Sequence, residues 1–265
     1  MKIRNGKIYQ MSVKSDTDNK ILVPCDLSSG SEREYFERLD DVLSRKIDHV
    51  FLDCTLLERV TSSHINILWQ SYSMCIAAGV PARFSSISVN LKRVLMMLDL
   101  YDLLISEPIG FTELTGHDMP IRKKNVGKEL RLEFAAGKED IDNAIEDLRC
   151  FLKTLQLPEF TAFELETVFY EVVTNIRLHG HIPEGSIIKA TVEIRPGGIK
   201  LCFIDRGVPF DPARQTKKFD PNQSAGTRQK RGYGIVMINR MMDKIHYERQ
   251  DGCLNVLILE KNGGH

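Results

Sequence analysis

Apolar positions along this chain come in short alternating runs and in helical stripes, and their order predicts two units. KIYQMSV (7–13) and ILVPC (21–25) read as extended pieces around a polar turn, and HVFLDC (49–54) and ARFSSI (82–87) as short strands. Tyr35, Phe36, Leu39, Val42 and Leu43 mark a helix over 31–46, whose opening, SGSERE, places serines and carboxylates at the positive end of the helix dipole. A second helix near 63–78 carries Ile65, Leu68, Trp69, Tyr72 and Cys75 on one side and stops at Gly79. A third spans 90–98, capped by Ser88 or Asn90. Strands alternating with helices predict a sheet with helices packed against it. The Gly-, Pro- and polar-rich stretch 106–125 is the predicted linker.

Beyond it, KELRLEF predicts a strand, and Ile141, Ala144, Ile145, Leu148 and Leu152 mark a helix over 138–155. Pro158 breaks the chain before a helix over 161–178. IKATVEIRP and GIKLCFID alternate and meet at Gly197-Gly198, which reads as a hairpin. A polar loop (206–231), a helix (232–242) and a last hairpin across Asp251-Gly252 complete the pattern. A length of 265 residues suits two cores of roughly 110–140 residues each. The expected boundaries are 1–118 and 119–265, in a two-domain α+β/α/β fold.

Charge and cysteine content narrow the class. Basic and acidic residues number 36 each, so no basic excess points to a nucleic-acid partner. No apolar run approaches the ~20 residues needed to cross a bilayer, and MKIRNGKIYQMSVKSD lacks a signal-peptide core, so no membrane partner is expected. The six cysteines are scattered without a CxxC pair, which predicts buried reduced thiols in a cytoplasmic protein rather than a zinc site.

Three short segments carry chemistry. In ELETVFYEVVTNIRLHG, Glu171 and Asn175 share a helix face; an amide oxygen can ligate Mg²⁺ while a carboxylate orients or deprotonates a hydroxyl. In IKLCFIDRGVPFDP, a strand ends in Asp205, a ready acceptor for an amino group, and Gly207 follows where backbone can approach a ligand. In KRGYGIVMINRMMDKI, Gly232 and Gly234 open a helix whose N–H groups can face an anion. Neither a GxxxxGK[ST] loop nor GxGxxG occurs.

Together these segments resemble the N, G1 and G2 boxes of the GHKL (Bergerat) ATP-binding α/β sandwich, and most nearly the anti-sigma factor serine kinases. The stretch Glu171-x-x-x-Asn175-x-x-x-His179-Gly180, then Asp205-Arg206-Gly207-Val208-Pro209-Phe210, then Gly232-Tyr233-Gly234-Ile235, carries the resemblance. It implies ATP and Mg²⁺ as cofactors, with Asn175 on the metal, Glu171 as general base toward a protein serine, and Asp205 on the adenine amino group. His179, Gly207, Pro209, Phe210, Gly232, Tyr233, Gly234 and Ile235 would line or shape the nucleotide pocket. Pro209 stands where many GHKL proteins have a second glycine. The loop from about Gln215 to Arg231 would be a lid, offering Lys217, Lys218, Arg228, Lys230 and Arg231 to phosphates.

The first half, over about residues 10–105, resembles a STAS domain, the fold of anti-sigma factor antagonists. There an Asp-Ser-Ser-Gly stretch opens the helix after the central strand, and its second serine is the phosphate acceptor. Here the stretch is Thr61-Ser62-Ser63-His64, which puts Ser63 in the acceptor place, while Ser62 and Ser63 also read as plain helix caps. The resemblance implies a serine kinase acting on, or tuned by, an antagonist-type STAS domain, either its own or that of a partner. A sigma factor and a second copy of the chain are the further partners it implies. A non-catalytic, ATP-dependent interaction switch is the alternative.

Overall fold

Two sheets of different kind organise the chain. The computed structural model describes residues 19–25, 29–45, 47–57, 59–105, 123–182, 185–212 and 232–263. The expected strand at 7–13, most of the linker and the lid lie outside these residues.

In the first half, β1 (Lys20–Leu22), β2 (Val50–Asp53) and β3 (Ala82–Ser85) pair in parallel in the order β1-β2-β3. Parallel neighbours need a crossover, and helices α1 (Ser29–Leu43) and α2 (Ser62–Ala77) provide it. Two further helices, α3 (Val89–Met97) and α4 (Tyr101–Leu104), follow β3. The central strand buries Val50 and Leu52 completely. Ser88 caps α3 as expected, accepting from the Leu91 N–H at 3.1 Å.

The start of α2 departs from expectation. Neither Ser62 nor Ser63 is its cap; Thr61 is, and His64 completes a capping box. The Thr61 hydroxyl accepts the His64 N–H, and His64 Nδ1 in turn accepts the Thr61 N–H at 3.2 Å. An imidazole thus does what Glu or Gln usually does at this position. With Nδ1 an acceptor, Nε2 carries the proton and donates to the Cys25 carbonyl at 3.3 Å. The residues that depart from the STAS pattern, Thr61 and His64, therefore have a structural reason.

In the second half, β4 (Glu129–Ala135), β5 (Ile187–Arg195), β6 (Gly198–Asp205), β7 (Lys244–Gln250) and β8 (Leu254–Asn262) form an antiparallel sheet in the order β4-β5-β6-β8-β7. Helices α5 (Lys138–Leu155), α6 (Glu159–His179) and α7 (Tyr233–Met241) belong to the same half, α6 packing against both α5 and α7. Alternation does what it predicts: Ile188, Ala190, Val192 and Ile194 of β5, and Ile199, Leu201 and Phe203 of β6, are all buried. Phe169 of α6 lies on this face, 5.3 Å from the Phe203 ring and 6.3 Å from that of Phe134.

The β5–β6 turn is Pro196-Gly197, since Arg195 already pairs with Gly198. Gly197 takes the positive φ of +87° that the second central position of such a turn requires. Only Cys54 and Cys75 are buried; Cys25, Cys150 and Cys253 are exposed, and Cys202 is intermediate because β6 turns alternate residues to its half-open face. None of the six is paired, and the expected burial is met by Cys54 and Cys75 alone.

The two sheets are separate, yet their buried residues run together into one apolar cluster. α2 and α3 pack against α7. Arg59, just before α2, reaches α6: its Nε lies 3.2 Å from Glu166 and its guanidinium 5.6 Å from the Tyr170 ring centroid. Arg93 of α3 stands 4.4 Å from the Phe160 ring centroid. Among the described residues no helix is long and apolar enough to cross a membrane.

Candidate functional site

α6 carries both ends of the site. Glu171 and Asn175 lie one helical turn apart, and each meets a different set of neighbours.

Asn175 lines a cavity of about 430 Å³, including space open to solvent, with Val172, Asp205, Phe210, Tyr247 and Asn255 among its walls. Its Nδ2 is buried and has no hydrogen-bond partner among the described residues. A buried amide without a partner is costly unless a ligand or water completes it. A flip of the amide plane presents oxygen instead of nitrogen in the same place.

Asp205, at the end of β6, is only 7% exposed. Its Oδ1 accepts the Gly207 N–H at 2.6 Å and the Asn255 Nδ2 at 2.8 Å. Both bonds fall on one oxygen, which leaves Oδ2 without a bond among the described residues. Gly207 is required here by space: a Cβ would stand 2.6 Å from the Gly180 carbonyl oxygen and 2.9 Å from Asp205 Oδ1. The Val208 N–H donates to that same carbonyl at 2.7 Å, so the end of α6 and the loop after β6 are tied backbone to backbone.

Asn255 was not legible as a site residue in the sequence. It sits on β8 directly opposite Asp205 and is 4% exposed. Besides Asp205, its Nδ2 reaches the carbonyls of Gly207 (3.2 Å) and Val208 (3.3 Å). Its Oδ1 accepts from the Tyr247 hydroxyl at 2.8 Å and Arg249 Nη1 at 2.6 Å. Arg249 Nη1 also reaches the Gly207 carbonyl at 2.8 Å. The signal, seen afterwards, is an Asn inside the apolar run LNVLILE, paired across the sheet with another polar residue.

Glu171 does not line the cavity. It is 3% exposed and faces the start of α2: the Ser62 N–H donates to Oε1 and the Ser62 hydroxyl to Oε2, both at 2.8 Å. Gly234 closes the other side, and a Cβ there would fall 2.3 Å from Glu171 Oε2 and 3.4 Å from Ser62 Oγ. Burial pushes the Glu171 carboxyl above its usual value, against the two Ser62 donors that draw it down. The N-termini of α2 and α7 thus converge on one buried carboxylate, an arrangement that favours negative charge. α7 is preceded by Gly232, which has no side chain to cap it.

Of the residues expected at a site, Asn175, Asp205 and Phe210 line the cavity, Gly207 fixes Asp205, and Glu171 with Gly234 forms the adjoining cluster. Gly232 lies exposed at the head of α7. His179 and Pro209 are exposed and outside the cavity wall, and Ile235 is half-buried on α7. Tyr233 is 1% exposed and belongs to the core. Ser63 is exposed, whereas Ser62, one position earlier, makes the contact with Glu171.

Residues 134–261 match the family model described as a histidine kinase-like ATPase domain. No curated protein matches the chain. Among solved structures, the SiaB-SiaC complex from Pseudomonas aeruginosa is 13% identical over 50% of this chain and 88% of that one, with a TM-score of 0.40. The RsbU and RsbW domains of Rv1364c from Mycobacterium tuberculosis are 14% identical over 51% of this chain and 32% of that one, with a TM-score of 0.37.

Proposed function

We propose that the chain is an ATP-dependent protein serine kinase of the partner-switching kind, with its first half as a STAS-like regulatory domain, a reading supported by the match of residues 134–261 to the histidine kinase-like ATPase domain model. The observation that carries this reading is the spacing of roles on α6: an amide with no partner among the described residues, in a cavity that ends at a buried carboxylate, and one turn earlier a second carboxylate that already holds a serine hydroxyl.

The residues fit a magnesium nucleotide. Asp205 Oδ2 would accept from the adenine amino group, its partner oxygen being held by Gly207 and Asn255. Asn175 would supply an amide oxygen to Mg²⁺, which takes few protein ligands and keeps phosphate and water for the rest. The start of α7, with Gly232 and Gly234, would face the phosphates. Bound there, the nucleotide supplies the phosphoryl group. Glu171 orients the acceptor hydroxyl and takes its proton, its carboxyl being raised above its usual value by burial and drawn back by the Ser62 donors.

A second reading has an observation of its own. Glu171 is covered on both sides by Ser62 and Gly234, so an external hydroxyl does not reach it in this arrangement. On that reading the chain is a non-catalytic switch, whose ATP-bound form engages a STAS protein or a sigma factor. Incubation of the whole chain with Mg-ATP labelled in the γ position, alone and with a separate STAS protein, separates the two. The kinase reading expects transfer that Glu171→Ala abolishes while nucleotide still binds. Nucleotide binding with no transfer to any serine leaves the switch, and no nucleotide binding removes both.

A further inference from the structure

Ser62 and Glu171 are separated by 109 residues and are joined by two hydrogen bonds. The contact is built rather than incidental. The Thr61–His64 capping box fixes the first turn of α2, Arg59 anchors the preceding loop on Glu166 and Tyr170, and Gly234 leaves just enough room for the carboxylate. The Ser62 hydroxyl donates to the oxygen that would act as base, and the first turn of α7, the expected phosphate site, lies beside it. Ser63, by contrast, is exposed.

From this geometry, and resting on the kinase reading above, we propose that Ser62 is a phosphate-acceptor site served in cis, and that its modification releases α2 from Glu171. In the step, Ser62 Oγ forms a bond to the terminal phosphorus of a nucleoside triphosphate. The bond from that phosphorus to the bridging oxygen breaks, the nucleoside diphosphate leaves with the electron pair, and the hydroxyl proton passes to Glu171. The product places a phosphate of about −1.5 to −2 charge where a neutral hydroxyl stood. Once Glu171 has passed that proton on to water it is again a carboxylate, 3% exposed, and the two anions repel across a poorly screened site. The phosphate is stabilised by the N-terminus of its own helix but not by Glu171, and the first turn of α2 moves off. Glu171 is then uncovered for a hydroxyl from another protein. The first transfer is intramolecular and opens the site for later ones.

The test uses the full chain with Mg-ATP, followed by intact-mass and peptide mass spectrometry, with nucleotide binding measured separately by calorimetry. One phosphate on Ser62 is expected, with a rate constant unchanged by tenfold dilution of the protein. Ser62→Ala abolishes the label and Ser63→Ala keeps it. Without nucleotide, hydrogen exchange of the amides in the first turn of α2 is expected to rise at least tenfold in Ser62→Glu. A protein that binds nucleotide and labels a separate STAS substrate but never Ser62 overturns this inference and leaves the kinase reading standing. Label on Ser63 with Ser62 unmodified, a rate that falls with dilution, or unchanged exchange in Ser62→Glu overturns it as well. Failure to bind nucleotide removes the kinase reading and this inference with it.

Discussion

Truncating Asn255 to Ala isolates the network that holds the Asp205 end of the cavity. The side chain is 4% exposed and serves Asp205, two backbone carbonyls, Tyr247 and Arg249 at once. Three of these losses are softened. Asp205 Oδ1 keeps the Gly207 N–H, and Arg249 keeps the carbonyls of Gly207 and Gly252. The Gly207 carbonyl likewise keeps Arg249. What is lost without replacement is one charge-assisted bond of Asp205, one neutral bond of the Tyr247 hydroxyl, and a long 3.3 Å contact of the Val208 carbonyl that is too weak to add to the sum. At about 1.5–3 kcal/mol for the first and about 1 kcal/mol for the second, the expected loss is about 2.5–4 kcal/mol. For the heat-unfolding midpoint, at roughly 2–4 °C per kcal/mol for a chain of this size, a fall of about 5–16 °C follows. Nucleotide affinity should fall too, because Asp205 loses one of the two donors that orient it. Differential scanning calorimetry and a nucleotide titration on the same preparation check both. A midpoint within about 1 °C of the parent, together with unchanged affinity, would refute the network as drawn.

The remaining expectations concern the junction and its pH dependence. Burial first, with Arg59 nearby, lowers the His64 pKa to about 4, the bond to Cys25 opposing this. His64 is buried neutral, so the unfolded chain binds the extra proton. Stability from His64 is full above the ordinary value of about 6.5 and is lost as pH falls toward 4, by up to roughly 1.4 kcal/mol per pH unit. Urea unfolding between pH 4 and pH 7 should show this slope, and His64→Gln should flatten it. Gly234→Ala puts a methyl against Glu171 Oε2, which two hydrogen bonds hold in place; a stability loss of about 1–3 kcal/mol and faster exchange at the start of α2 are expected, measured by denaturation and hydrogen exchange. Arg59→Ala removes a half-buried ion pair and a ring contact between the halves, and should cost about 1 kcal/mol by the same denaturation assay while leaving nucleotide affinity unchanged.

Periodicity carried the elements. Ile141, Ala144, Ile145, Leu148 and Leu152 all prove buried on α5, because one face of a helix is written locally in sequence. The Asp251-Gly252 turn was equally local, both residues taking positive φ. The site was half legible for a related reason. Glu171 with Asn175, and Asp205 with Gly207, are local pairs whose chemistry can be read from spacing. Asn255 becomes visible only when β8 is laid against β6 in register. The choice between Ser62 and Ser63 depends on how α2 docks across 109 residues, and nothing in the four-residue stretch Thr61 to His64 encodes it. His64 looked like a departure from a pattern because a capping box with imidazole at its third position is rarely anticipated.

The account stands on Asp205 as the acceptor for an adenine amino group, and calorimetric titration of Mg-ATP into the full chain and into Asp205→Asn tests it most directly. The substitution keeps the side-chain shape but turns a donor toward a donor where Oδ2 had faced the ligand. Saturable binding by the parent, weakened about tenfold to a hundredfold in the variant, is the predicted result, equivalent to one charge-assisted hydrogen bond of about 1.5–3 kcal/mol. Equal affinities for the two proteins, or no binding by the parent, would contradict it.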